Sequence, residues 1–337
     1  MYKMDKDTIF PPSVIWLLRG VALLAMVAIP IVNHDDYSTR ILSLAIIFSI
    51  AALGMQLLIG FAGQLSIGQA AFLGIGAYSS AILTGTFGLA FPIAFLLSGL
   101  LAAISSLALV PIVRLRGVYL AVATLGFTII VHLILQNEAW LTGGTFGFMK
   151  IPAPAVGAMI FSSDESVYYL CLAFLSIVYV AFALLVSSRF GRALQAIMLD
   201  EDAARASGIN PTIYKSKCFV VAAFVTGLAG SLFAHHEMYL NPNDFTFWRS
   251  IEILIMAAVG GLGSLPGAVL GAFAITLLPE YLRAIGDYRM LIYGGALVVL
   301  MGLGEAGLAG LVRDVAFKLV NGLRGSKPSL PADAEGR

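Results

Sequence analysis

The chain has 337 residues, 59% of them hydrophobic and only 12% charged, with a mean hydropathy of +0.93. That is more apolar surface than one soluble core can hide, so the sequence describes a polytopic membrane protein. A formal net charge of +1 offers no basic face to neutralise phosphates and argues against a nucleic-acid partner.

About twenty apolar residues cross the hydrocarbon core as a helix. Spans are predicted near 14–32, 41–59, 66–86, 90–112, 118–136, 167–187 and 218–240. The first is longer than a signal-peptide core and lacks a small-x-small cleavage site, so it reads as a retained span. Cys171 and Cys218 fall in separate apolar runs and read as small core residues. From Ser250 to Pro279 the apolar stretch is too long for one span and is interrupted by Gly260-Gly-Leu-Gly-Ser-Leu-Pro-Gly267, where glycine and proline disfavour a continuous helix. It reads as two half-length segments. A last span is expected from about Tyr288 to Leu303. The fold class is therefore an all-α membrane protein with about eight to ten transmembrane helices, including one broken hairpin. Its organisation is an N-terminal cytoplasmic segment 1–13, a transmembrane domain 14–303 and a cytoplasmic tail 304–337.

Lys and Arg in short loops set orientation. Lys3, Lys6 and Arg19 mark the first end as cytoplasmic, as do Arg114 and Arg116, the cluster Arg189, Arg192, Arg205, Lys215 and Lys217, and the tail residues Arg313, Lys318, Arg324 and Lys327. The loops holding Asp35 and Asp36, or Glu138, Asp164 and Glu165, carry little positive charge and should face outside. Both termini are cytoplasmic only if 250–279 enters from outside and returns there, or is divided so as to add an even number of crossings.

The cytoplasmic stretch 188–217 is longer than the other connections. Leu194, Ile197 and Met198 give the i, i+3, i+4 spacing of one amphipathic helix. Asp200 can cap a second, in which Glu201 and Asp202 occupy the favourable first turn, Ala203, Ala204 and Ala206 supply propensity, and Gly208 ends it.

Glu201-x-Ala-Ala-x-x-x-Gly208 resembles the EAA loop by which permease subunits of bacterial ABC importers dock into their ATPases. Gly63-Gln-Leu-Ser-Ile-Gly-Gln-Ala-Ala-Phe72, Leu115-Arg-Gly-Val-Tyr-Leu-Ala-Val-Ala-Thr-Leu-Gly126, Leu141-Thr-Gly-Gly-Thr145 and Gly260 to Gly267 look like signature blocks of the branched-chain amino-acid permease family, closest to its LivM-type subunits. The resemblance runs from about residue 40 to 312. It implies a type II importer permease-like fold in the inner membrane, a LivH-like second permease, two cytoplasmic ATPase subunits and a periplasmic solute-binding protein. It also implies that Asp200, Glu201, Ala203, Ala204 and Gly208 couple to the ATPase. Asp202 and the pair Glu305-Ala306 depart from the usual pattern, which bears on the details of docking.

Physical reading offers further candidates. Gln64, Ser66 and Gln69 place polar groups among Gly63, Gly68, Gly74 and Gly76, either lining a path or bonding helix to helix. Thr124 and Thr128 share a helical face and either line the same path or bond their own backbone. Thr142-Gly-Gly-Thr145 is an outer loop or an ordinary turn. Gly260, Gly261, Gly263, Pro266 and Gly267 form a gate at broken helix ends, or a tight hairpin. Adjacent His235 and His236 point about 100° apart on a helix and do not converge on a metal. Glu252 suits the start of a half-helix.

No nucleophile–base pair, paired intramembrane carboxylates or GxxxxGK[ST] phosphate loop is present, so the expected role is a transport subunit without a cofactor or its own ATPase site. An ion-coupled secondary transporter would place ionisable groups in its spans, and these are nearly absent. Branched-chain amino acids are the expected cargo; urea, short amides or aromatic acids are the alternative.

Overall fold

The computed structural model describes residues 35–283 except 116 and 158, together with 26, 27, 30, 291, 292, 294, 295, 298 and 307–310. Most of the expected spans 14–32 and 288–303, and of the tail, lie outside the described residues.

Helix α1, Asp36–Gln56, starts where Asp35 accepts the N–H of Ser38, and continues as one π-helical turn, Leu57–Phe61. The Ser38 hydroxyl also bonds Asp35 and holds its carboxyl below the ordinary carboxylate range. Then follow α2, Gln69–Gly85; α3, Phe91–Ser106; α4, Val118–Asn137; and a short α5, Ala139–Thr142. A two-stranded antiparallel ribbon, β1 (Ala155–Val156) and β2 (Met159–Ile160), precedes α6, Asp164–Ser187. Helices α7, Arg189–Leu199, and α8, Glu201–Ala206, lead into α9, Pro211–Glu237. The last pair is α10, Phe247–Gly260, and α11, Leu265–Tyr281.

Five of these elements are long and apolar enough to cross a membrane: Asp36–Phe61, Phe91–Leu109, Val118–Asn137, Asp164–Ser187 and Pro211–Glu237. They divide by burial. In α1 and α9, 83% of the apolar window is buried, against 33% in α4 and α6, so the first two form the centre and the others present Ile130, Ile134, Ile177 and Leu184 outward. Small residues let the central helices close up, as expected where lipid gives no hydrophobic drive to helix association. A Cβ on Gly76 would lie 2.1 Å from the Gly227 carbonyl oxygen, and one on Gly230 2.1 Å from that of Leu73. Helices α2 and α9 therefore meet backbone to backbone. Cys171 and Cys218 are buried, separate and free.

The ends of α3, α6, α7 and α9 surround an apolar groove lined by Leu107, Val110, Leu185, Phe190 and Val220. The expected cytoplasmic cations of 188–217 thus gather at one end of the bundle. At the opposite end Arg40 pairs with Glu237 at 3.2 Å, and Arg283 bonds the Tyr37 hydroxyl at 2.7 Å.

Two expectations change here. The span 66–86 is not helical throughout: 63–68 is non-helical, and α2 begins only at Gln69. The halves of the broken hairpin, with 14 and 17 residues, are about 21 and 26 Å long and cover most of a hydrocarbon core rather than half of it. Further along, Gly307 approaches Gly261 and Leu308 lies against the core.

Candidate functional site

The first candidate region is the elbow at the basic end. Helix α7 buries Leu194 and Ile197 and leaves Met198 half-exposed, its side chain against Gly63. Asp200 ends α7 and caps α8, accepting the N–H groups of Asp202 at 2.9 Å and Ala203 at 3.0 Å, which serves donors that the helix itself leaves unpaired. The stop is as local as the start. Gly208, at φ +82°, donates to Arg205, and Ile209 to Ala204, each at 3.0 Å, a left-handed closure that favours glycine. Asn210 then caps α9, with Pro211 at its first position.

The residues singled out for docking face two ways. Asp202, Ala203 and Ala206 are exposed, whereas Ala204 is buried. Glu201 turns inward: its carboxylate receives Lys215 Nζ at 2.9 Å and the Arg205 guanidinium at 3.1 Å. Lys215 is itself buried. A lysine in the first turns of a membrane helix read as a topology marker; its pairing was not visible in the spacing.

The second region is the unwound stretch 63–68. Gln64 N–H donates to Leu58 at 2.8 Å, so the chain leaves the end of α1 without resuming a helix. It then climbs within the bundle. Cys218 marks the level of Leu57 and Thr226 that of Gln69, about 12 Å further along α9. Backbone groups freed by the unwinding need partners away from water, and hydroxyls supply them. Ile67 N–H donates to Thr124 Oγ1 at 2.9 Å, Thr128 Oγ1 donates to the Ile67 carbonyl at 2.8 Å, and Gly68 N–H donates to Ser66 Oγ at 3.2 Å. At the mouth of α2, Ala70 N–H donates to Ser250 Oγ at 2.9 Å, and Thr226 donates to Gln69 Oε1 at 2.7 Å.

All five candidate path residues, Gln64, Ser66, Gln69, Thr124 and Thr128, are therefore together, and all are buried. Ser66, Gln69, Thr124 and Thr128 make side-chain hydrogen bonds in this conformation. Thr124 and Thr128 do bond backbone, as threonines in membrane helices often do, but that of a neighbouring segment as well as their own. Gln64 keeps both amide atoms, and Gln69 its Nε2, without a partner among the described residues. Ser250 and Thr226 were missed; the available signal was a hydroxyl inside an apolar run.

The hairpin is the third region. Gly261 and Gly263 have φ +109° and +77°, and Ser264 caps α11 by accepting Gly267 N–H at 3.2 Å with Pro266 in the first turn. Gln56 Nε2 reaches across from α1 to the Gly261 carbonyl at 2.8 Å. Tyr37 at the start of α1 bonds Glu280 near the end of α11, so the hairpin tip lies about 30 Å along α1 from the level to which the chain returns.

The remaining candidates have structural employment. Thr142 donates to the carbonyls of Leu135 and Glu138 and accepts from Gly144, closing a turn. Glu252 pairs with Arg249 at 2.6 Å. His235 bonds the Pro152 carbonyl through Nδ1 at 2.8 Å and Ser80 Oγ through Nε2 at 3.1 Å. Because a carbonyl only accepts, Nδ1 carries the proton and Nε2 accepts from Ser80. That arrangement ties the loop holding Pro152, and Ser80 of α2, to α9.

The family described as branched-chain amino acid transport system, permease component, matches residues 37–301. The high-affinity branched-chain amino acid transport system permease protein LivM of Escherichia coli K12 is 34% identical over 306 residues, covering 84% of this chain and 72% of that protein. A probable branched-chain amino acid transport permease protein LivH of Methanocaldococcus jannaschii is 26% identical, covering 75% of this chain and 85% of its own. The autoinducer 2 import system permease protein LsrC of Yersinia pseudotuberculosis is 27% identical over 78% of this chain and 77% of its own. No solved structure matches.

Proposed function

The chain belongs to the family of branched-chain amino acid transport permease components, and from that membership we propose that it is the LivM-like permease subunit of a binding-protein-dependent ABC importer. It pairs with a LivH-like permease, receives substrate from a periplasmic binding protein, and is driven by two ATPase subunits on the cytoplasmic face of the inner membrane, where both termini lie. The observation that carries this reading is the elbow: two capped helices at the basic end of the bundle, with Asp202, Ala203 and Ala206 exposed for docking. Branched-chain amino acids are the cargo that the similarity to LivM favours. Gln64, Ser66, Gln69, Thr124 and Thr128 line or brace the route, and Gly260, Gly261, Gly263, Pro266 and Gly267 form the gate beside it.

Reconstitution in proteoliposomes with the partner subunits tests the proposal. With proton and sodium gradients collapsed by ionophores, uptake of binding-protein-loaded leucine should continue with ATP on the ATPase side and stop when the ATPases are catalytically disabled. Uptake that follows the gradient and ignores ATP would overturn it.

A further inference from the structure

We propose that the Glu201–Lys215 ion pair is a strut that makes the docking helix α8 and the central helix α9 move as one lever. The inference rests on the reading of α8 as the docking helix and adds to it the route by which force leaves that helix.

Between α8 and α9 the chain runs through 207–210, with Gly208 in its left-handed conformation. A push on the exposed face of α8 would be absorbed there by backbone rotation unless a second connection bypassed the hinge. Glu201 provides it. One carboxylate oxygen meets Lys215 Nζ at 2.9 Å and the other meets Arg205 at 3.1 Å. The lysine and glutamate side chains are only 10% and 15% exposed, so water competes weakly for the pair.

Beyond Lys215 the connection stays stiff. Gly227 and Gly230 hold α9 against the backbone of α2, and Thr226 holds Gln69 at the first residue of α2. Displacement of α8 is thereby delivered to the mouth of α2, where the unwound stretch ends. A second contact, Met198 against Gly63, places the same elbow at the other end of that stretch.

Breaking a buried pair from one side leaves the other charge uncompensated, and the sides differ. Without Lys215, Glu201 still has Arg205; without Glu201, Lys215 has no other carboxylate partner among the described residues. Glu201→Gln should therefore be the more damaging change.

The test uses the full transporter in proteoliposomes, carrying a single reporter cysteine at the exposed position 203 for cross-linking to the ATPase. Glu201→Gln should cut uptake about tenfold or more and Lys215→Met less. ATP turnover and the cross-link should stay near parental values, so that more ATP is spent per solute moved. The exchange Glu201→Lys with Lys215→Glu should restore much of the uptake. Parental uptake in both single variants, an inactive exchange, or loss of uptake together with the cross-link would overturn the strut. Absence of the cross-link in the parent would instead remove the docking assignment on which it rests.

Discussion

Helical order is interrupted in the two places closest to the expected route, and the interruptions are built on opposite principles. At 63–68 the chain is held by its surroundings: Thr124 and Thr128 from α4, Ser250 from α10 and Thr226 from α9 bond the stretch or the start of α2. At 261–264 the chain holds mostly itself, with one bond from outside, Gln56 Nε2 to the Gly261 carbonyl. Left-handed glycines make the reversal, Ser264 caps the returning helix, and the two arms touch where a Cβ on Gly260 would lie 2.0 Å from the Gly267 oxygen. A turn held largely by its own bonds can swing as a unit and give up only the one from Gln56. A stretch held by neighbours must break or exchange bonds whenever those neighbours shift. The hairpin is thus suited to rigid displacement, and the unwound stretch to switching.

The strongest way to break this comparison is to attack the hairpin from within. Gly260→Ala leaves no room between the arms, and the clash is with backbone that has no rotamer by which to yield. The expected cost exceeds about 3 kcal/mol, read as failure to accumulate in the membrane or a large fall in Tm after detergent extraction. A variant that accumulates and melts like the parent would show that the arms separate freely.

The unwound stretch should respond more mildly and more selectively. Thr124→Val keeps the shape but leaves Ile67 N–H buried without its acceptor, at about 1–3 kcal/mol, while Thr124→Ser should recover most of the loss. Thermal unfolding and leucine uptake should fall together in the valine variant. Equal behaviour of valine and serine would mean that the hydroxyl does not hold the chain.

Thr128→Val should have the smallest effect, about 0.5–1.5 kcal/mol, because it removes a donor to a carbonyl and not an acceptor from an N–H. Since both threonines hold Ile67, the double variant should cost less than the sum of the singles. Strict additivity in a double-mutant cycle would show that the two bonds act apart.

The sequence was most informative where structure is local. Asp200 as a cap, Gly208 as a stop and the glycine-rich break after Gly260 are consequences of backbone geometry within a few residues, and each stands where the spacing placed it. The apolar runs likewise revealed the long spans. Residues 63–65 already lay between the expected spans; that the unwinding reaches 68 was hidden because Ser66, Ile67 and Gly68 adjoin an apolar run, and the hydroxyls that hold the stretch are 57 to 180 positions away. Lys215 was legible as a charge near a membrane face but not as a partner for Glu201. Pairing across 14 positions depends on how the intervening turn folds back, which composition does not encode. Glu201 had been placed by its helix-start position, and tertiary packing turned it from the docking face to the inside.

The bonds that secure 63–68 are made by hydroxyls, amides and peptide groups, with no carboxylate, imidazole or amine among them. None of these groups can store a proton as a charge near neutral pH. A stretch with these bonds is therefore also an insulator: it offers no relay of titrating sites along which protons could leak. The membrane potential can stand across the stretch, and no gating charge within it feels the field. A carboxylate in place of Gln64 would give the same stretch a site that titrates as its surroundings change, and with it a route for dissipating the gradient that the present residues leave intact.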